Sequence, residues 1–400
     1  MEKYLLSLFT PEKISDINNF VFSKFDTHLM PLYCSVDIRD AGFKTAVVDT
    51  NLFPAGFNNL NKNNEELISN EFKMIISEKV GPVKELLLIV ESNTRNKWYL
   101  ENVAHLKHYL NMAGFNVTIS AFLDEYSDAC QNQGYTELES QSGETLKIEC
   151  TNRVAESFEN KKRHFDLIIL NNDLMSGIPS LLNKFDIPIL PKAHLGWHSR
   201  LKSDHFDHVS QVLSDCSKVV DFDPWLLSCY QTHVEEANVM IDSDIDRLAN
   251  HVQQLIDKMQ KKYNEYDIKE KPFVMMKANS GTYGMGVMNF DNGEDVLKMN
   301  RKTKNKLSKG KHSSHISSFL IQEGVPTRLK VNDKVVEPCM YYIGHEYAGG
   351  FFRTNELKGS KQNLNSLGMG FAPLSDDIDT SFELYKCLAR ISILAVIMET

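Results

Sequence analysis

The 400-residue chain has no apolar stretch long enough to cross a bilayer: its longest near-run, residues 391–398, is under half of the roughly 18 residues needed. Its cysteines form no recognisable pair either. Of the seven, even the nearest two, Cys216 and Cys229, lie too far apart for a C-x-x-C redox motif or a zinc knuckle. Met1-Glu2-Lys3-Tyr4 shows no basic flank entering an apolar segment, so no secretory signal is expected, and free thiols in a reducing cytoplasm are. A surplus of positive charge is also missing. With 44 Lys+Arg against 53 Asp+Glu the formal charge is −9, which excludes a general nucleic-acid or membrane-surface binder, because a phosphate-dense partner calls for a basic face.

What is present is a globular composition, 42% apolar and 24% charged, at a length that suggests two or three domains. β-rich runs at 45–49, 86–90, 115–120 and 165–170 alternate with amphipathic stretches, and 96–112 and 173–184 read as helices. Such alternation predicts an α/β fold with a partly parallel sheet. The chain changes character at Ile187-Pro188-Ile189-Leu190-Pro191, which places a boundary between an N-terminal α/β domain, 1–190, and a second unit, 191–400. Helices are predicted in the second unit at 205–217, 245–263 and 382–398. Residues 301–311, six of them basic, read as a solvated loop.

Chemistry concentrates in 273–287. An apolar strand delivers Lys277 into a loop holding Gly281, Tyr283, Gly284 and Gly286. So few Cβ atoms let backbone N–H groups approach phosphate oxygens, and the lysine adds a point charge. The segment is neither a Walker A loop nor a dinucleotide fingerprint, and by itself it reads equally as a flexible β-turn. Further on, a strand ends in Gln322-Glu323-Gly324-Val325, able to offer an adenine side-chain acceptors and backbone hydrogen bonds. Two more strands carry Glu337 and Arg353, and Asn363-Leu364-Asn365 follows.

This succession resembles the ATP-grasp fold, in which two α+β lobes hold ATP between them. Blocks at 35–44, 48–59, 94–96, 194–198 and 277–286 narrow the resemblance to the proteobacterial, ATP-grasp-type glutamate–cysteine ligases, over about residues 33–374. The resemblance implies an N-terminal α/β, pre-grasp-like domain followed by an ATP-grasp module. It implies ATP and Mg²⁺ as cofactors, and glutamate and cysteine as small-molecule substrates, joined through an acyl phosphate in a cytoplasmic enzyme. Lys202 and Lys277 would contact the phosphates, with Gly281, Tyr283, Gly284 and Gly286 as a lid and Gln322, Glu323 and Val325 at the adenine. Arg353 and Lys277 would be catalytic, and Glu337 and Asn365 would hold the metal. Asn363-Leu364-Asn365 departs from the usual Glu-x-Asn pairing, which leaves Glu356 or Asp333 as alternatives to Glu337.

A glutamate has two carboxylates and one ammonium, so its pocket needs Arg or Lys together with Asp or amide oxygens. Arg39, Asn51, Asn58, Arg95 and Arg200 are predicted to bind it, with Asp49 and Asn59 nearby in sequence, although amides in such loops also cap their own turns. Arg95 follows a strand end, where ligands of open α/β sheets gather. His194, His198, His205 and His208 lie close together but show no His-Glu-x-x-His spacing, so phosphate or substrate contacts by Arg200 and Lys202 above Trp197 are the stronger use of that segment. Three rival readings stand beside the ligase: a carboxylate–amine ligase with other substrates, a nucleotide-binding regulator without turnover, and nucleic-acid binding through 301–311.

Overall fold

A computed structural model of the chain describes residues 5, 7–92, 96–123, 128–281, 286–308, 316–374 and 381–400. The first part runs α1 (Pro11–Phe22), β1 (Tyr33–Asp40), β2 (Thr45–Asn51), α2 (Glu65–Val80), β3 (Glu85–Val90), α3 (Lys97–Met112) and β4 (Asn116–Ala121). It continues through β5 (Tyr135–Glu139), β6 (Thr145–Cys150), α4 (Thr151–Glu159), β7 (Leu167–Asn171), β8 (Ile189–Leu190), α5 (Lys202–Val219), β9 (Gln231–Val234) and α6 (Asp242–Glu265). The last part comprises β10 (Val274–Ala278), β11 (Met288–Phe290), α7 (Gly293–Leu297), α8 (Arg301–Leu307), β12 (Phe319–Glu323), β13 (Lys330–Val331), β14 (Lys334–Ile343), β15 (Glu346–Asn355), β16 (Met369–Pro373) and α9 (Ser381–Glu399).

Three sheets organise this mixed α/β fold. One, in the order β5-β6-β4-β3-β7-β8, is parallel except for the β5–β6 hairpin, and the buried Leu86–Val90 run of β3 sits at its centre. A strand hydrophobic on both faces needs helices on both sides, which the crossovers supply. A four-stranded antiparallel sheet runs β11-β10-β12-β9. The third, antiparallel and ordered β16-β15-β14-β1-β2, joins strands from both ends of the chain: Val36 is opposite Met340 and Asp37 opposite Cys339. A cut at 190–191 therefore separates hydrogen-bonded partners. α9 is buried nearly all round and packs on α1, α5, β1 and β2, so the apolar run 391–398 is a core helix. Among the described residues no helix is long and apolar enough to cross a membrane.

Most sequence-derived elements lie where expected, α3 included, whose cap Asn96 accepts from Trp98 and Tyr99 N–H. Three expectations need correction. Residues 173–184 are not a helix: Leu174 has φ 50°, Gly177 φ 103°, and Pro179 precedes a single 3₁₀ turn at Ser180–Lys184. The basic segment is not all loop, because Asn300 caps Thr303 and starts α8, while 309–315 lie outside the described residues. Cys130 and Cys150 are not free thiols but a disulfide with Cα atoms 5.7 Å apart. Their partnership arises from the β5–β6 hairpin folding back, which no spacing rule anticipates.

Candidate active site

One face of the mixed-origin sheet carries the polar chemistry. Along β1 the side chains alternate, so Ser35, Asp37 and Arg39 share a face, and antiparallel register sets Asp49 opposite Asp37 and Arg353 opposite Glu337. A smaller pocket, about 100 Å³, lies between this face and the four-stranded sheet. The first sheet supplies Asp37, Arg39, Glu337 and Arg353 to it, and the second Lys277, Gln322 and Glu323. Gly281, Val325, Asn363, Asn365 and Lys202 are also among its lining residues. A larger pocket, about 700 Å³, spreads over the same face beneath the 53–59 loop and is bordered by Asn51, Asn58, Asn59, Asp173 and Phe371. Asp37, Asp49, Arg353 and Asn365 border both.

Buried charge dominates the junction. Arg353 donates to Asp37 through Nη1 (2.5 Å) and Nη2 (3.2 Å) and to Glu337 through Nη1 (2.8 Å), leaving its buried Nε without a partner. Burial pushes the Asp37 carboxyl up, outweighing the Arg353 charge. It acts on Glu337 as well, but there Arg39 and Arg353 together prevail and hold the carboxyl below the usual range. Asp49 receives the Lys202 ammonium, and Lys202 with Lys277 overcomes the cost of burial to hold Asp49 at about 2. Lys277 donates to the Val48 carbonyl (2.8 Å), and burial lowers its ammonium to about 8 despite the Asp49 charge. Lys202 rests 4.3 Å from the centroid of Trp197, which also lies under Arg200. Lys202 and Lys277, from α5 and β10, thus converge on one carboxylate and on one end of the smaller pocket.

Several predicted residues have other partners. Arg39 is fully engaged: Nε meets Glu337 (2.7 Å), Nη1 the carbonyls of Val325 and Ser360, and Nη2 that of Gln362 (2.7 Å). It borders the smaller pocket but not the larger. Arg200 borders neither; it grips Glu399 with Nε (2.6 Å) and Nη2 (3.0 Å) and the Thr50 carbonyl with Nη1 (2.7 Å). Glu323 forms a wholly buried ion pair with Lys44 (2.7 Å) and accepts from Trp225 and the Tyr230 N–H, whereas the buried Gln322 Nε2 has no partner among the described residues. Gly281 (φ 107°) and Gly286 (φ 62°) occupy left-handed backbone, and a Cβ on Gly286 would stand 2.9 Å from Ile316. Arg95, Tyr283 and Gly284 lie outside the described residues. The alternative metal ligands are remote: Glu356 is exposed and paired with Lys334, and Asp333 forms a turn at φ 62°. Asn51 and Asn58 border the larger pocket, Asn51 also accepting from Phe53 N–H (3.0 Å). Asp37 had no assigned role in the sequence, although an acid set between Val36 and Ile38 on a buried strand was a readable signal.

Glu399 anchors the end of α9 under the site. It holds Arg200 and lies 2.5 Å from His205 Nδ1, while His205 Nε2 lies within hydrogen-bond distance of the Thr50 (2.9 Å) and Ser392 (3.1 Å) hydroxyls. Burial raises the Glu399 carboxyl, but Arg200 and His205 outweigh it and depress the net value. Its contribution to stability is therefore complete above the unfolded carboxylate value and is lost as pH falls below it. Glu399→Gln is expected to destabilise the protein at pH 7 by about 3 kcal/mol, since it strands a buried guanidinium. In urea unfolding this deficit against wild type should shrink on acidification; a constant deficit would show that charge is not the cause.

A glutamate–cysteine ligase family model matches residues 9–400. A crystal structure described, provisionally, as a gamma-glutamylcysteine synthetase from Methylobacillus flagellatus KT is similar over 97% of this chain and 93% of that one, at 33% identity and a TM-score of 0.85. D-alanyl-alanine synthetase A from Vibrio cholerae O1 biovar eltor str. N16961 aligns over 77% of this chain and 80% of that one at 12% identity, and its TM-score of 0.34 is too low to carry an argument. No curated protein matches the chain significantly.

Proposed function

Because the chain belongs to the glutamate–cysteine ligase family, we propose that the smaller pocket takes ATP and the larger takes the amino acids, with phosphoryl transfer where they meet. The observation that supports this most is the set of groups shared by both pockets, Asp37, Asp49, Arg353 and Asn365, because a γ-phosphate and a γ-carboxylate must come into contact to react. In this reading the four-stranded sheet and the mixed-origin sheet are the two lobes of an ATP-grasp module built from 191–400, with β1 and β2 added from the N-terminal unit.

The γ-carboxylate oxygen of glutamate attacks the γ-phosphorus of ATP, and ADP leaves. Cysteine's amine nitrogen then attacks the acyl carbon: a C–N bond forms, the C–O bond to phosphate breaks, the amine proton is lost, and γ-glutamylcysteine and phosphate remain. Lys202 and Lys277 neutralise the transferring charge, and Arg353 orients the acyl centre. Gln322 Nε2 is free to donate to an adenine nitrogen. Arg39 holds Glu337, and Arg200 holds the Thr50 backbone beside Asp49. Asn51 and Asn58 meet the polar groups of glutamate.

Glu337 and Asn365, which border the smaller pocket, would hold Mg²⁺ through hard oxygens with phosphates supplying the remaining ligands, Glu337 sharing its carboxylate with Arg39 and Arg353. Bound there, Mg²⁺ would neutralise phosphate charge. Incubation with ATP, Mg²⁺, glutamate and cysteine is expected to release ADP and a product with the mass of γ-glutamylcysteine. ADP release with a different carboxylate–amine pair, and none with this one, would overturn the substrate assignment.

A further inference from the structure

The larger pocket is asymmetric across the sheet. In the strand order β2-β1-β14-β15-β16, Asn51 stands on one edge strand and Phe371 on the other, with Asp37 and Arg353 between them. The 53–59 loop after β2 adds Asn58 and Asn59, and Asn102 clamps it by accepting from the N–H groups of Gly56 (2.8 Å) and Phe57 (3.0 Å). That side presents amides, suited to the α-carboxylate and ammonium of glutamate. The β16 side presents carbon. Phe371 is directly opposite Arg353 in the β15–β16 ladder, its ring centroid is 5.0 Å from that of Phe351, and 44% of it is exposed, unlike the buried Phe351 behind it. Directly opposed residues bring their Cβ atoms to within about 5 Å, so the Phe371 side chain leaves the sheet beside that of Arg353, whose guanidinium reaches across to Glu337 and Asp37.

An amine attacking that centre must approach within bonding distance, and its α-carbon and side chain then lie only a few bonds away. Glutamate, extending from the junction toward the amides, leaves the β16 side for the second amino acid. We propose that Phe371, backed by Phe351, is a specificity-determining residue of the ligation: its ring is the wall on which the side chain of the acceptor amino acid packs, selecting a small, weakly hydrated CH₂–SH over a hydroxymethyl group. The proposal rests on the two-pocket reading above. Its physical basis is the loss of hydrogen bonds when a hydroxyl is pressed against a phenyl wall, a loss a thiol hardly feels, together with favourable sulfur–aromatic contact.

The test compares kcat/KM for three acceptors, cysteine, L-2-aminobutyrate and serine, by ADP release at saturating ATP and glutamate, in wild type, Phe371→Ala and Phe371→Leu. Phe371→Ala is expected to lower the values for cysteine and 2-aminobutyrate by about 10-fold, the scale of lost apolar contact in a pocket, and that for serine by less than about 2-fold. Phe371→Leu should keep 2-aminobutyrate near wild type and still lose about 3-fold for cysteine, the sulfur–aromatic share. KM for glutamate should stay unchanged in both. Equal losses for cysteine and serine, or a raised KM for glutamate with an unchanged acceptor ratio, would overturn the proposal while leaving the ligase reading intact. If wild type released no ADP with glutamate and any acceptor, the two-pocket reading itself would fail, and this proposal with it.

Discussion

Arg353→Lys is expected to lower kcat by two to three orders of magnitude, about the cost of removing one preorganised donor from a reacting centre. Arg353 is the only cation among the described residues lining the larger pocket, and it borders the smaller one as well. Its planar fork meets two carboxylates at once, Asp37 and Glu337, and still has an unpartnered Nε–H. A lysine ammonium is a single point without that geometry, and it would leave at least one buried acid uncompensated. Because the interaction is assigned to the transition state, kcat and kcat/KM for glutamate should fall together while KM for ATP changes little. A purely structural arginine would instead give a protein of lowered melting temperature whose surviving fraction has a normal kcat.

Lys277→Ala should reduce kcat/KM for ATP by about 10²- to 10³-fold, the scale of one lost charge-stabilising group, and the pH profile should identify the lysine as the cause. Burial lowers its ammonium to about 8, and the nearby Asp49 charge only partly restores it. The protonated form is the one that meets phosphate, so the free enzyme loses its charge as pH rises through about 8. kcat/KM for ATP, which reports the free enzyme, should fall on that alkaline limb. Bound phosphate favours the ammonium, so the matching limb in kcat should lie at higher pH. Lys277→Arg, whose charge persists, should abolish the limb at reduced overall rate. An unchanged limb in that variant would assign it to another group.

The identity of the site residues was legible to different depths. Lys277, Gln322, Glu337 and Arg353 stand out because each is a charged or amide side chain that follows an apolar residue within a strand, where burial without a purpose is costly. Arg39 carries the same signal on β1 and Arg200 directly precedes α5, yet they face Glu337 and Glu399, partners nearly 300 and nearly 200 residues away. Nothing local distinguishes an arginine that awaits a substrate carboxylate from one already holding a protein carboxylate. Glu323 illustrates the converse case: its acceptor capacity is absorbed by Lys44, on the far turn of β1–β2.

By itself the sequence determined the alternation of strands and helices, the span of α3, the glycine-loop strand and the acidic balance of the chain, because these depend on near neighbours or on sums over the chain. The tertiary structure alone decided that β1 pairs with β14, that Cys130 meets Cys150, and that Asp37, Glu337 and Arg353 form one buried cluster. Those are contacts between distant segments, fixed by which sheet edges and apolar faces can be buried together, and the cleft that sets Arg39, Lys202, Lys277 and Arg353 against Asp37, Asp49, Glu323 and Glu337 exists only once they are made.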